Sequence, residues 1–234
     1  MTAVVQSKSN PNATEGSPAT SYNTLPTVGN YAIVTIGANG DGPVSGVTDN
    51  QGNIYQRANR ASNSGGGFTH TDSELWFAPI LVASGTVTVS FTMTNPTGAH
   101  IAVGLLEVSG LSGVVDVTNT AQDISGANTS LTVTNGSANA NASELVVAII
   151  TTSGSGNDFT VPPSSGYSTL TLASANSNGV SSSSGYKVTS GIENSAASWT
   201  WGTAGFASAV IVTFLPASVA APPPSYPMAS SYYM

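Results

Sequence analysis

From residue 86 to 93 the chain alternates strictly. Val87, Val89, Phe91 and Met93 fall on one side, and Thr86, Thr88, Ser90 and Thr92 on the other. A period of two is the mark of a β-strand with one face in a core and the other in water. Four runs, "YAIVTIGA" (31–38), "IAVGLLEV" (101–108), "ELVVAII" (144–150) and "ASAVIVTF" (207–214), are apolar on both faces and predict central strands. Shorter strands are predicted at 73–79, 130–134, 167–172, 185–190 and 196–201. Clusters of Gly, Asn, Asp, Ser and Pro at 39–43, 63–67, 94–98 and 153–158 supply turn residues between them. No window sustains an apolar stripe with the 3.6-residue period of a helix. The pattern predicts an all-β protein: a two-sheet antiparallel β-sandwich of jelly-roll or Greek-key type, with about a dozen strands over residues 1–215. No fixed-period repeat is visible in the residues.

The texture changes after Leu215. Residues 216–234 are rich in Pro, small residues and Tyr, and Pro222, Pro223 and Pro224 favour an extended polyproline conformation. Chain ends are often disordered. Tyr226, Met228, Tyr232, Tyr233 and Met234 are more apolar weight than disordered tails usually carry. The six residues Pro222, Pro223, Pro224, Tyr226, Tyr232 and Tyr233 are therefore candidates for contact with a neighbouring subunit.

Composition narrows the function. The chain has 234 residues, four Lys or Arg against eleven Asp or Glu, and a formal net charge of −7. Its 35 serines and 28 threonines supply the polar surface. So few cations give no footprint for nucleic acid, and the negative balance disfavours anionic membranes. Cysteine is absent, which excludes disulfides, thiol catalysis and cysteine-held metals. The N-terminal residues do not read as a secretory signal, and no apolar run reaches the length of a membrane-spanning helix.

Candidate chemistry is sparse. Asp49, Asn50 and Asn53 in "VTDNQGNIYQRA" offer oxygens to a cation, but the acids a calcium loop needs are missing. A tight turn is expected instead, with Asp49 capping it and Gly52-Asn53 at positive φ. His70, Asp72 and Glu74 share one face of a strand, which suits a metal or acid–base pair. A polar outer face on an edge strand is the expectation. Glu107 and Glu144 are expected to bond backbone at strand ends. Trp199 and Trp201 share a strand face and form a possible glycan platform, against the alternative of core packing. No catalytic residue, metal ligand or cofactor site is predicted.

The order "LPTVGNYAIVTI", "VTDNQGNIYQRA", "SELWFAP", "TVTVSF", "LLEVSGL", "NASELVVAII", "GYSTL", "GYKV" and "ASAVIVTF" resembles a β-sandwich domain found in bacterial extracellular multidomain proteins and in phage virion structural proteins. The resemblance implies a jelly-roll-like fold with no general catalytic role, and a structural hairpin at Asp49–Tyr55. The Pro/Tyr-rich tail turns the expectation toward a non-enzymatic virion component, a capsid decoration (cement) protein or a head- or tail-fibre subunit. Its partners would be the major capsid protein and further copies of itself, as a dimer or trimer. The alternative is an extracellular carbohydrate- or receptor-binding module recognising a host surface glycan.

Overall fold

A computed structural model of the chain describes residues 1–13, 19–39, 44–63, 70–94, 100–153, 159, 163–164, 166–173 and 180–218. The tail residues from Pro222 to Tyr233 lie outside them.

The described residues contain fifteen strands and no helix. The first half supplies β1 (Ala3–Ala13), β2 (Ala19–Ser21), β3 (Tyr31–Asn39), β4 (Val44–Asp49), β5 (Gln56–Asn63), β6 (Thr71–Pro79), β7 (Thr88–Met93) and β8 (His100–Ser109). The second half supplies β9 (Leu111–Asp123), β10 (Ser130–Thr134), β11 (Leu145–Ser153), β12 (Ser168–Ala173), β13 (Val180–Val188), β14 (Ala196–Thr200) and β15 (Ala207–Pro216). Two five-stranded sheets, ordered β1-β8-β3-β6-β5 and β12-β13-β11-β15-β9, pack face to face. A three-stranded sheet, β2-β7-β4, covers the outside of the first, and the pair β10-β14 covers the outside of the second. The expected antiparallel β-sandwich is thus present, with a further sheet on each side. The doubly apolar strands β3, β8, β11 and β15 need two covers, and this stack provides them.

Three apolar layers result. Val34, Ile36, Val89, Phe91, Val103 and Leu105 fill the first. Ile33, Leu75, Leu106, Val147, Val210 and Phe214 fill the middle one. Val146, Ala148, Ile150, Trp199 and Ile211 fill the third. Alternation along β3 and β11 sends successive side chains into different layers. Each fully buried Leu, Ile or Phe contributes roughly 1.5–3 kcal/mol.

The two halves repeat one topology. In the first, β3 lies between β8 and β6, with Tyr31 opposite both Val108 and Pro79. In the second, β11 lies between β15 and β13, with Leu145 opposite Phe214 and Val188. The backbone pair Gly29 N to Ile80 O and Ile80 N to Asn30 O recurs as Ser143 N to Thr189 O and Thr189 N to Glu144 O. Gly29 and Ser143 both take positive φ there, 95° and 64°. The β4–β7 pairing has its counterpart in the single bridge between Phe159 and Trp201. The halves contact each other as a symmetric dimer would: β1 packs on β12, and its counterpart β9 packs on β5. The repeat lies in strand order and register and is not visible in the residues themselves.

The N-terminal residues form the edge strand β1, hydrogen-bonded along β8, and are not a free arm. The last strand reaches Pro216, and Ala217 N–H still donates to Gly110 O. Among the described residues, strand and backbone pairing therefore continue past Leu215.

Candidate functional site

Asp49 ends β4 and organises the polar knot that follows. Its Oδ1 accepts N–H bonds from Gln51 and Asn53, and its Oδ2 accepts from Asn53 Nδ2 and the Tyr55 hydroxyl. A carboxylate with four donors around it is satisfied without a cation. Gly52 takes φ 82°, as the turn requires. Asn53 does not share the positive φ expected of it. It is buried instead, and its amide bonds Leu81 N, Val82 N and Val82 O of the next loop. The knot is a turn that fastens two loops together.

The strand that carries Asp72 and Glu74, and that His70 directly precedes, is not at an edge. β6 lies between β3 and β5, its side chains at 72 and 74 are buried, and Glu74 reaches Val44 of β4. Both acids are buried and meet both arginines of the chain. Arg60 places Nε 2.8 Å and Nη2 2.6 Å from Asp72 Oδ1. Arg57 Nε is 3.0 Å from Glu74 Oε2, its Nη2 donates to Val44 O, and its guanidinium lies 4.7 Å from the centre of the Trp76 ring. Glu74 also accepts from Val44 N and Trp76 Nε1. Burial pushes the Glu74 carboxyl up, opposed by Arg57 and by these donors. Breaking such a pair from one side typically costs about 3–5 kcal/mol, and the partial exposure of both arginines places this one near the lower end.

His70 gives this cluster the look of a catalytic relay, and its geometry removes that reading. His70 Nε2 lies 3.0 Å from Ser62 Oγ and 3.0 Å from Asp72 Oδ2. A Ser-His-Asp relay needs the serine on one ring nitrogen and the acid on the other. Here one nitrogen meets both, and Arg60 Nη2 donates to the same serine oxygen. Among the described residues no group of three His, Cys, Asp or Glu is placed to hold a metal ion. The cluster is a charge-balanced tie between β4, β5 and β6.

The two strand-end glutamates also act as ties. Glu107 accepts from Gln6 Nε2, Thr27 N and Asn30 Nδ2 at 2.6, 2.8 and 2.5 Å. Burial opposes its charge, but these bonds outweigh burial and hold the carboxyl below its usual range. Glu144 Oε1 accepts from Asn141 N at 2.6 Å, while its buried Oε2 has no donor. Burial, and then the nearby Asp116 carboxylate, push Glu144 up.

Trp199 and Trp201, the possible glycan platform, are only 1% and 4% exposed. Trp199 in β14 and Trp201 just after it face inward onto β11 and β15, Trp199 Nε1 bonds Ser183 Oγ, and Trp201 meets Phe159 edge to face at 6.2 Å. The β10-β14 pair is too narrow to cover a sheet face with small side chains, so the two indoles supply the missing area. Their shared strand face was legible, but it is the core face.

The exposed apolar side chains are placed more unevenly, and sequence reading missed them. Leu25, Val28, Ile54, Leu81, Val82 and Ile192 are at least half exposed. All lie in loops at one end of the stack, where β3 and β11 begin and β6, β8 and β15 end. The Phe77–Phe214 contact, 5.2 Å between ring centres, shows that these sheet ends coincide. At the opposite end, Ile124 is the one exposed large aliphatic among the described residues. The apolar loops are pinned: Asn53 ties 53 to 81–82, Gln51 Oε1 accepts from Ser84, and Glu107 holds Thr27 and Asn30. Each aliphatic sits on a turn with no period, which is why no pattern marks them.

Comparison with protein families, with characterised proteins and with solved structures finds no match. The fold and its sites define an antiparallel β-sandwich protein whose polar clusters tie strands and loops together.

Proposed function

We propose that this chain is a non-enzymatic structural protein of a virus particle, a bacteriophage capsid decoration (cement) protein in the first place and a head- or tail-fibre subunit in the second. The observation that carries the reading is the apolar pole. A stack of four sheets presents exposed aliphatics on pinned loops at one end, and a pinned apolar surface marks a contact with another protein. The charged clusters support it from the other side, since Asp49, Asp72, Glu74 and Glu107 are all used to tie strands and loops together. In this reading the pole sits on the major capsid protein or on further copies of the chain, and the hydroxyl-rich sheets face solvent. The carbohydrate-binding alternative has lost its platform, because both indoles are core.

The test is immuno-electron microscopy of particles purified from the organism that encodes the chain. Regularly spaced label on heads or fibres is expected. Label confined to soluble protein, with clean particles, would refute the reading.

A further inference from the structure

The loops that close the second sheet at the pole hold two carboxyl groups against each other. Asp116 is the extra residue of a bulge in β9, where Thr213 pairs with Val117 and Phe214 with Val115. A bulge re-aims a side chain. This one sends Asp116 Oδ2 to the backbone N–H of Ala140, 2.7 Å away. Glu144 Oε1 takes the next N–H along, that of Asn141, at 2.6 Å. Carboxyls seated on consecutive amides stand side by side, and these two are in hydrogen-bonding contact. The second oxygen of Glu144, Oε2, is buried and meets no donor. The other charged groups on this face are Lys187, opposite Val146, and Glu193. They pair with each other, and Lys187 Nζ lies 5.0 Å from the centre of the Tyr167 ring. Segment 135–143, β10, β14 and β15 carry no charged side chain. Two acceptors that face each other in a buried site need something positive between them. A calcium ion takes about six to eight oxygens, whereas a proton needs only these two.

We propose that Glu144 and Asp116 share one proton, with Glu144 Oε2 donating to Asp116, and that the pair is a pH-operated clasp on one side of the pole. With the proton in place, the pair seats Ala140 and Asn141. These residues carry a second loop with them. Asn139 N donates to Glu193 O, Asn139 Oδ1 accepts from Glu193 N, and Ser143 N donates to Thr189 O. Segment 139–144 therefore positions the loop that exposes Ile192. Asn141, Ala142 and Ser143 also line an open cavity of about 770 Å³, together with Val114 and Leu215. Without the proton, two carboxylates repel each other at short range, and releasing segment 139–144 relieves the repulsion. The Ile192 loop and that side of the cavity are released with it. The sign follows from the surroundings. Burial, and then Asp116, hold the Glu144 carboxyl above its usual range. The clasp's contribution is thus fully present below the unfolded value of about 4.3 and is lost as pH rises through the folded value. The use of such a clasp rests on the pole being a contact face; the clasp itself does not.

The test is NMR spectroscopy of the full-length protein across a pH series. One readout is the carboxyl carbon of Glu144. The other is hydrogen-exchange protection of the Ala140 and Asn141 amides, corrected for intrinsic exchange. Glu144 should titrate above the ordinary glutamate range, and both amides should lose protection through the same midpoint. The loss should be about tenfold for each pH unit by which the folded value exceeds the unfolded one. Glu144→Gln and Asp116→Asn each place an amide N–H where the proton was and keep the acceptor for the loop. Both variants should therefore hold protection constant over that range. An ordinary Glu144 titration, protection that does not follow it, or an unchanged pH dependence in both variants would overturn the proposal. The series is repeated with EDTA and with calcium chloride, and the same midpoint is expected in both. A midpoint that calcium lowers would also overturn the proposal, assigning the oxygens to a cation. The particle reading is decided by microscopy and is untouched by any of these outcomes.

Discussion

Glu107 and Glu144 occupy comparable positions at the pole and respond to pH in opposite directions. Glu107 is buried yet held below its usual range by three donors, so its stabilising contribution is present above the unfolded value of about 4.3 and is lost as pH falls through its folded value. Glu144 is pushed up by burial and by Asp116, so its contribution is present below about 4.3 and is lost as pH rises through its folded value. Glu107→Gln should therefore lower the urea midpoint at pH 7, with the gap narrowing toward pH 3.5. Glu144→Gln keeps the acceptor for Asn141 and removes the buried charge, so its stability relative to wild type should rise between pH 3.5 and pH 7. Urea titrations of both variants at the two pH values check this. Parallel shifts in the two variants would contradict the assignment.

At the scale of elements, the joint between the two large sheets changes character along its length. Near the pole it is filled by Ile, Leu, Val and Phe. Toward the other end β3, β6, β11, β13 and β15 face each other with hydroxyls. Thr35 Oγ1 lies 3.1 Å from Ser184 Oγ, and Ser73 Oγ lies 2.9 Å from Thr151 Oγ1 and 2.8 Å from Ser208 O. Glycines take the remaining places because the sheets approach too closely for a Cβ. A Cβ on Gly104 would lie 2.5 Å from Thr35 Oγ1 and 2.6 Å from Thr171 Oγ1. Gly104→Ala should cost about 1–3 kcal/mol of overpacking strain, read as a lowered urea midpoint. Gly136→Ala meets nothing within 4 Å and should leave the midpoint unchanged. Strand β13 shows how this joint hid from the sequence: it starts at Val180 and runs through Ser181–Ser184, although its apolar pattern predicts a start only at 185. Four serines look like a loop, but Ser182 and Ser184 face the joint, beside Gly37 and Thr35, while Ser183 on the other face takes Trp199 Nε1.

At the scale of the whole molecule, the two halves depend on each other. Each five-stranded sheet buries one face only against the other half, so a half alone would expose Ile33, Leu75 and Leu106, or Val147, Val210 and Phe214. Calorimetry should therefore show one unfolding transition with equal calorimetric and van't Hoff enthalpies. Two resolved transitions would mean that the halves fold independently. The near-twofold packing of β1 on β12 and β9 on β5 is the arrangement of an isologous dimer held within one chain.

The sequence by itself determined the all-β class, the central strands β3, β8, β11 and β15, and the turn at Asp49, because alternation and turn chemistry are local properties. It also placed Trp199 and Trp201 on one strand face. Only the tertiary structure decided that this face is core, that Asp72 and Glu74 are buried against Arg60 and Arg57, and that two halves of like topology stack four sheets deep. Alternation says which face of a strand is apolar but not what covers it. Those covers come from pairings such as β1 with β8 and β9 with β15, whose partners lie about a hundred residues apart in the chain. The apolar pole is the plainest case: its aliphatics come from separate turns without a common period, and they share one end of the molecule only because the sheet ends align.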